Sequence, residues 1–345
     1  MKKLGVIFGG MSTENEVSVQ SAFSILQNLD KQKYDIYPIY IGKEGTWYSY
    51  QGSFDKIEFG EPLDEIEEIE DVMKYLKGLD VVFPVLHGLY GEDGTIQGLL
   101  ELLKIPYVGC GILASSVGMD KVYTKILFEK IGLTQAKYEY VKKVKEDYIY
   151  IDKQFQEKRM CLDEIVTIIS ENLVFPVFVK PSRSGSSVGV RKAKNKEELK
   201  ENIQYAACFD SKILIEEAIV GKEVECAVMG KEDVIASCVG EIKSAEEFYS
   251  YDAKYKNEAS KTQIPADISK EKEKEIQESA IKAFKAIDGK GLSRVDFFVE
   301  DSTQKVYINE INTLPGFTNI SMYPKMMEAS GVPMKELLDR LIDIV

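Results

Sequence analysis

The chain has 345 residues, 44% of them hydrophobic and 29% charged, and a formal net charge of -13. That length predicts two or three globular domains with several buried cores. The acidic balance argues against a general nucleic-acid-binding protein, whose footprint would be basic, but it allows an anionic ligand in a locally positive pocket.

Cysteine, histidine and apolar patterning exclude several further classes. The five cysteines are scattered without a CxxC pair, which predicts reduced thiols in a cytoplasmic protein. The single histidine excludes a metal site built from several histidines. No apolar run approaches the roughly 18 residues of a membrane helix, and the start MKKLGVIFGG does not resemble a signal peptide. We therefore expect neither a membrane nor a nucleic acid as partner.

The N-terminal third predicts the first strands and helices of an α/β domain. LGVIFGG (4–10) indicates a buried strand ending at two glycines, and SVQSAFSILQNL indicates a helix directly after it. Between them, Ser12 or Thr13 is suited to cap that helix, with acidic residues complementing its dipole. YDIYPIYI, DVVFPVLHG and PYVGCG predict further strands, and TIQGLLELLKI predicts a helix. We expect a first domain over residues 1–118.

His87 follows one of these strands and precedes the glycine-rich GLYGEDG. In open α/β sheets, ligands bind at the edge where such strands end. A single histidine there is equally typical of a satisfied packing residue, so the sequence leaves both interpretations open.

The middle of the chain contains a candidate phosphate loop. A helix is predicted over SSVGMDKVYTKILFEKIG, and residues 142–162 are polar without a clear period. In VKPSRSGSSVGV, Lys180 ends an apolar strand and offers a point charge for a phosphate. Gly185 and Ser186 in the following loop allow close backbone approach and add a hydroxyl. The alternative is a flexible hairpin tip, and no Walker A pattern is present.

Two acidic residues and a long polar stretch follow. Glu216 and Glu223 flank the end of the strand KILIEEAI and could accept hydrogen bonds from an adenine amine and a ribose; a solvated strand end is the alternative. Residues 119–220 are expected to form a central domain and residues 221–345 a C-terminal one. The stretch 248–269 is predicted to be a long loop, and we place a lid at 245–269.

RVDFFV and KVYINEIN predict a hairpin that brings oxygen ligands together. With an odd-length turn, Asp296 lies opposite Glu310 on one face, and Asn312 shares that face. Neighbouring carboxylates repel unless a cation lies between them, and hard oxygen ligands suit Mg²⁺. The alternative is a solvated face on which Arg294 pairs with Asp296.

Six motifs occur in a fixed order: GGxSxExEVS, HGxxGEDGxxQG, GxxxSxxxMDK, VKPxxxGSSxGV, YDAKY and RVDFF…NEINTLPGFT. Together they resemble the D-alanine–D-alanine ligase family of the ATP-grasp superfamily, over almost the whole chain. The stretch 142–162 is longer and more charged than this family leads us to expect, and Asn15 departs from one motif. The resemblance implies an N-terminal doubly wound parallel-sheet α/β domain and two α+β domains that clamp ATP.

The resemblance also implies roles for individual residues, with ATP and two Mg²⁺ ions (or Mn²⁺) as cofactors. The implied metal ligands are Asp296, Glu310 and Asn312. The implied ATP contacts are Lys121, Lys180, Glu216, Glu223 and, on the lid, Lys254. The implied catalytic residues are Glu14, Ser186, Tyr255, Arg294 and Gly316. The implied amino-acid contacts are His87, Ser321 and Met322.

The implied reaction joins two D-alanines through an acyl phosphate, for peptidoglycan precursor synthesis by a cytoplasmic homodimer. A D-alanine–D-serine or D-alanine–D-lactate ligase of the glycopeptide-resistance type is the alternative, although AKY at 253–255 argues against lactate. One extra polar atom changes discrimination by only a few kcal/mol, so D-serine stays open. A non-catalytic nucleotide-binding protein is disfavoured because Lys180, Arg294, Asp296 and Glu310 are all present.

Overall fold

The computed structural model describes residues 1–59, 65–243 and 261–345. The strands in these ranges are β1 (Lys2–Gly9), β2 (Tyr34–Ile41), β3 (Trp47–Tyr50), β4 (Ile66–Glu68), β5 (Val81–Pro84), β6 (Tyr138–Val144), β7 (Asp147–Ile151), β8 (Glu157–Met160), β9 (Val177–Pro181), β10 (Arg191–Ala193), β11 (Lys212–Glu217), β12 (Gly221–Gly230), β13 (Ile235–Lys243), β14 (Lys261–Gln263), β15 (Gly291–Glu300) and β16 (Val306–Asn312). The helices are α1 (Asn15–Asn28), α2 (Val72–Leu76), α3 (Thr95–Leu103), α4 (Ile112–Met119), α5 (Lys121–Lys130), α6 (Leu162–Asn172), α7 (Lys196–Ala206), α8 (Lys270–Ala286), α9 (Met322–Ala329) and α10 (Met334–Asp343), with a 3-10 helix at Phe54–Phe59. None of these helices is long and apolar enough to cross a membrane.

The first sheet has the order β4-β3-β2-β1-β5. Its centre is parallel, because β1 pairs in parallel with both β2 and β5, as predicted. Two antiparallel strands, β3 and β4, extend one edge. The strand predicted over PYVGCG is reduced to a single bridge between Tyr107 and Val82. Six of the eight residues of β1 are buried, so the central strand of this sheet lies within the hydrophobic core. Helix α1 follows β1 directly in the chain.

The second sheet has the order β10-β9-β11-β6-β7-β8, with antiparallel neighbours throughout. The stretch 142–162, which showed no period in the sequence, supplies β7 and β8 at its edge. Tyr148 and Tyr150, two residues apart on β7, are both buried against the core under α6 and α7. With Ile149 and Ile151 they form a short run of aromatic and β-branched residues, a strand signal that the surrounding charges obscured.

The third sheet has the order β14-β13-β12-β15-β16. Its β15–β16 hairpin confirms the predicted register, since Asp296 pairs with Glu310 and Arg294 with Asn312. Strand β14 pairs with β13 inside the stretch predicted as a loop over 248–269, so that prediction is wrong at three residues. Three residues are too few to show a period.

The helix predicted over SSVGMDKVYTKILFEKIG is divided at Asp120, and that prediction of one continuous helix is wrong. Asp120 has extended backbone angles, and its carboxylate caps α5 by accepting from the N–H of Tyr123 at 3.2 Å. Helix α5 therefore begins at Lys121, and Lys125 lies one turn further along the same face.

One hydrophobic core joins the two ends of the chain. Leu4 and Phe8 of β1 belong to the same buried cluster as Met326 of α9 and Leu338 of α10. The first and third sheets are thereby packed together. The three sheets fall within the predicted domains 1–118, 119–220 and 221–345, whose exact boundaries stay a prediction.

Candidate functional site

A cavity of about 620 Å³ is lined by residues of the second and third sheets, by the start of α1, and by loops that include the one after β5. The sequence-predicted residues in its lining are Glu14, His87, Lys121, Lys180, Ser186, Glu216, Glu223, Arg294, Glu310, Asn312, Gly316, Ser321 and Met322. Asp296 lies behind this lining and is only 3% exposed. Lys254 and Tyr255 lie outside the described residues, and their roles stay predictions.

A buried carboxylate shared by two lysines forms one wall. Glu216 on β11 is 4% exposed, and its Oε1 lies 2.5 Å from Nζ of Lys180 on β9. Its Oε2 lies 2.7 Å from Nζ of Lys125 on α5. The sequence analysis missed Lys125, although its position four residues after Lys121 indicates that both lie on one helix face.

Glu216 and Lys180 are both held in their charged forms. Burial opposes ionisation of Glu216, but the two lysines outweigh it and lower the pKa of Glu216 to about 2. Burial likewise opposes protonation of Lys180, and the carboxylates of Glu216 and Glu310 overcome it and raise the pKa of Lys180 above its usual value. Two ammonium groups against one carboxylate leave a positive excess, which suits a phosphate.

Lys121 fastens the serine- and glycine-rich loop over this wall. Its ammonium donates to the carbonyl of Ser184 at 2.7 Å and lies 3.6 Å from Glu310. In the same loop, Ser186 and Ser187 have positive φ angles of 48° and 60°. Non-glycine residues adopt this conformation at a cost, so the tertiary contacts hold the loop in a defined shape.

Arg294 lies between two buried carboxylates at the β15–β16 hairpin. Its Nε and Nη2 each donate to Asp296 at 2.7 Å, and Nε lies 3.1 Å from Glu225 on β12. Asn312 also donates to Asp296, at 3.0 Å. Burial opposes the charge of Arg294, but Asp296 and Glu225 raise its pKa well above the usual value. The Arg294–Asp296 pair is the alternative that the sequence left open.

Glu225 was missed by the sequence analysis. It pairs with Asp296 across β12 and β15, and it alternates with Glu223 on one face of β12. The two acids in the run KEVE were the available signal. Glu225 gives Arg294 a second carboxylate if the first is engaged elsewhere.

The hairpin offers oxygen ligands to a cation. Glu310 and Asn312 line the cavity, and their carboxylate and amide oxygens are hard ligands of the kind Mg²⁺ prefers. No cluster of three or more His, Cys, Asp or Glu side chains within the described ranges is arranged to hold a metal. The predicted set of Asp296, Glu310 and Asn312 contains two carboxylates and an amide. These oxygen donors are of the type that binds Mg²⁺. Both oxygens of Asp296 accept from Arg294 in this structure, so its role as a metal ligand stays a prediction.

Glu14 faces across the cavity rather than capping a helix. Its carboxylate accepts a hydrogen bond from Ser186, 172 residues further along the chain. Glu14 occupies the N-cap position of α1 without a side-chain capping bond, so the predicted cap by Ser12 or Thr13 is wrong. Ser12 accepts from the N–H of Glu14 at 3.2 Å and donates to the carbonyl of His87 at 2.7 Å. A buried carboxylate aimed at a cavity is suited to bind an ammonium group.

His87 clamps the loop that contains Gly316. Its Nδ1 lies 3.1 Å from the carbonyl of Leu314, which can only accept, so Nδ1 bears the proton. Its Nε2 therefore accepts from the hydroxyl of Ser21 at 3.1 Å, and Ser21 accepts from the N–H of Phe317 at 3.1 Å. His87 is 4% exposed and both ring nitrogens have partners, as the packing interpretation predicts, and it also lines the cavity. Ligand binding by His87 stays a prediction.

Ser21 was not predicted from the sequence, because a serine within an amphipathic helix gives no sign of a partner 296 residues away.

Next to this loop, Ser321 lies directly before α9 and accepts from the N–H of Thr318 at 3.0 Å. Met322 begins α9, whose N-terminal N–H groups are suited to a carboxylate. A Cβ added to Gly316 would lie 2.8 Å from Oγ of Ser321, which explains the glycine.

Known proteins of one family are similar to this chain over most of its length. The family described as "D-ala D-ala ligase N-terminus" matches residues 3–110, and "D-ala D-ala ligase C-terminus" matches residues 127–343. The chain is 51% identical to the D-alanine–D-alanine ligase of Acetivibrio thermocellus, covering 99% of this chain and 95% of that relative. It is 49% identical to the enzyme of that name from Clostridium novyi, covering 99% and 97%.

Two solved structures share the fold. The VanG D-Ala:D-Ser ligase from Enterococcus faecalis has a TM-score of 0.87 and 40% identity, covering 99% of each chain. The D-alanine–D-alanine ligase from Coxiella burnetii has a TM-score of 0.85 and 35% identity, covering 99% of this chain and 93% of that one. The similarity extends through all three sheets.

Proposed function

Because the chain belongs to the D-alanine–D-alanine ligase family of ATP-dependent ligases, we propose that it joins two D-alanine molecules to form D-alanyl-D-alanine. ATP is converted to ADP and phosphate in the same reaction. The observation that carries the proposal is the single cavity in which a lysine-rich wall, an acidic hairpin and the carboxylate of Glu14 face one another.

The lysine-rich wall binds the nucleotide. Lys121 and Lys180 neutralise the phosphates, while Glu216 and Glu223 contact the adenosine. Asp296, Glu310 and Asn312 would hold two Mg²⁺ ions, which would supply charge neutralisation at the transferring phosphoryl group. Contact with the γ-phosphate is assigned to Lys254.

In the first step, the carboxylate of one D-alanine attacks the γ-phosphorus, and the bond to ADP breaks. Glu14 binds the ammonium of this D-alanine, with Ser186 and Tyr255 completing a hydrogen-bonded chain from Glu14 toward the lid. His87 lies beside the same substrate. The product is an acyl phosphate, and exclusion of water by the lid protects it from hydrolysis.

In the second step, the amine of the second D-alanine attacks the carbonyl carbon of the acyl phosphate, and phosphate leaves. Ser321 and the backbone N–H of Met322 bind the carboxylate of this substrate. Arg294 and the N–H of Gly316 stabilise the tetrahedral oxyanion. Loss of one such donor typically raises the barrier by about 3–4 kcal/mol.

The dipeptide serves as a peptidoglycan precursor in this proposal, and the enzyme acts as a cytoplasmic homodimer. ATP and D-alanine are its small-molecule partners. The dimer is tested by sedimentation of the purified protein, independently of activity.

The test of the proposed function is phosphate release with Mg-ATP and D-alanine, with products identified by mass spectrometry. Efficient formation of the D-alanine dipeptide is expected. Absence of turnover with every D-amino acid tried would reject the ligase proposal.

A second candidate, D-alanine–D-serine ligation, is favoured by the 40% identity and TM-score of 0.87 with the VanG enzyme. D-serine and D-lactate are therefore added in excess over D-alanine in parallel reactions. Dominance of the mixed D-alanyl-D-serine product would favour this second candidate. We expect the D-alanine dipeptide to dominate instead.

A further inference from the structure

We propose that Lys125 is the permanent counter-ion of Glu216 and that it leaves Lys180 free to move to a nucleotide phosphate. This inference rests on the nucleotide-binding role proposed above and adds a positioning residue to it. Lys125 belongs to none of the motifs that indicated the site.

The geometry distinguishes the two lysines that share Glu216. The side chain of Lys125 is 3% exposed, while that of Lys180 is 13% exposed. The ammonium of Lys125 also lies 5.5 Å above the ring of Tyr138, and its backbone carbonyl accepts from Gln135 at 2.8 Å. Both lysines line the cavity, but the side chain of Lys125 is the more enclosed of the two.

The electrostatics give the two lysines different tasks. If Lys180 moved to a phosphate with no second lysine present, Glu216 would stay charged and buried without a cation, which is strongly unfavourable. With Lys125 at 2.7 Å, the carboxylate keeps a partner before and after the move. Lys125 thus lowers the free-energy cost of moving Lys180 to the ligand.

The proposal predicts a specific coupling between Lys125 and Glu216 in nucleotide binding. Removal of Lys125 weakens binding only while residue 216 is charged, because a neutral amide needs no counter-ion. Lys125→Met should therefore weaken nucleotide binding strongly in the wild-type background and only slightly in the Glu216→Gln background. This difference is independent of the effect of Glu216→Gln alone.

The experiment is calorimetric titration of the full-length protein with Mg-ADP, which does not depend on turnover. The wild type, Lys125→Met, Glu216→Gln and the double variant are compared. We expect Lys125→Met to weaken binding at least about 10-fold in the wild-type background and less than about 3-fold beside Glu216→Gln. Lys125→Arg, which keeps the charge, should stay within about 3-fold of the wild type.

The matched control is Lys212→Met, which removes another enclosed lysine whose partner, Asp120, lies 2.6 Å away. Lys212 is not part of the cavity lining. It should lower the melting temperature, as Lys125→Met does, and leave the affinity for Mg-ADP within about twofold. If Lys125→Met does not fold, Lys125→Gln replaces it in the same cycle.

Two results would overturn the counter-ion role while leaving the proposed function intact. One is an equal loss of affinity in both backgrounds, and the other is no loss in the wild-type background. Failure of the wild type itself to bind Mg-ADP would overturn the proposed function together with this inference.

Discussion

The two sides of the cavity hold their functional groups by different forces. On the nucleotide side, the lysines around Glu216 and the arginine between Asp296 and Glu225 are held by ion pairs. On the amino-acid side, Ser21 and His87 hydrogen-bond to each other and each to one backbone group.

The difference follows from what each side has to bind. Ion pairs can exchange one partner for another of the same sign, so a lysine or an acid can move to a phosphate or a metal without becoming unpaired. Hydrogen bonds are directional, so the His87 clamp holds its backbone loop in one position. We infer that the nucleotide side is built to rearrange and the amino-acid side to remain fixed.

The largest expected effect comes from removing the cation at the centre of the ion-paired side. Arg294→Met leaves Asp296 and Glu225 buried without their shared partner and removes a proposed oxyanion donor. Turnover should fall by about 10³-fold or more, and the free energy of unfolding by about 3–5 kcal/mol. Steady-state kinetics and urea unfolding measure the two effects.

Arg294→Lys is the matched control, because it keeps the charge but not the paired N–H groups. It should recover much of the stability and little of the activity. A kcat for Arg294→Met within tenfold of the wild type would contradict the assignment.

The next effect concerns the carboxylate that faces across the cavity. Glu14→Gln removes the charge proposed to bind the substrate ammonium, and a lost charge-assisted hydrogen bond of up to about 3 kcal/mol corresponds to about 100-fold. KM for the first D-alanine should rise by about that factor, while KM for ATP stays within about threefold. Initial rates over both substrate concentrations separate the two constants.

Glu16→Gln, an exposed acid in the first turn of α1, is the control and should change neither constant. Equal increases in both KM values for Glu14→Gln would indicate a distorted site rather than a lost contact.

A smaller effect on kcat is expected from a substitution on the amino-acid side of the cavity. Ser21→Ala breaks the link between His87 and the N–H of Phe317, so the loop with Gly316 loses one of its two attachments. We expect kcat to fall about tenfold, equivalent to about 1.4 kcal/mol, with KM for ATP unchanged. Ser24→Ala, at another buried serine of α1, is the control. A loss of affinity for ATP in Ser21→Ala would contradict the assignment of Ser21 and His87 to the amino-acid side of the cavity.

The last prediction concerns stability rather than activity, and it is a dependence of stability on pH at Glu216. Its pKa falls from the ordinary 4.5 to about 2 on folding, so its stabilising contribution is present above pH 4.5 and is lost as the pH falls toward about 2. Within that window, the wild type should lose up to about 1.4 kcal/mol per pH unit more than Glu216→Gln. Urea unfolding at several pH values measures the difference. Parallel profiles of the two proteins would show that Glu216 is not held ionised by its lysines.

Much of the acidic hairpin could be predicted from the sequence, because strand alternation is a local rule. Asp296 lies opposite Glu310 as predicted, but a register shift after Asp296, and not an odd-length turn, produces this pairing. The same rules could not show that Arg294 occupies both oxygens of Asp296, since this depends on which side chains are nearest after folding. The short strand β14 and the break at Asp120 were missed because each involves too few residues to show a period.

The sequence by itself determined the order of strands and helices in most of the chain, the family, and the set of residue types that the cavity presents. These depend on local periodicity and on motifs of consecutive residues. Only the tertiary structure decided that Lys125 shares Glu216 with Lys180, that Glu225 supports Arg294, and that Ser21 links His87 to Phe317. Such partners are up to 296 residues apart, and their pairing follows from burial, which leaves each charge or hydrogen-bonding group dependent on whatever the fold places beside it.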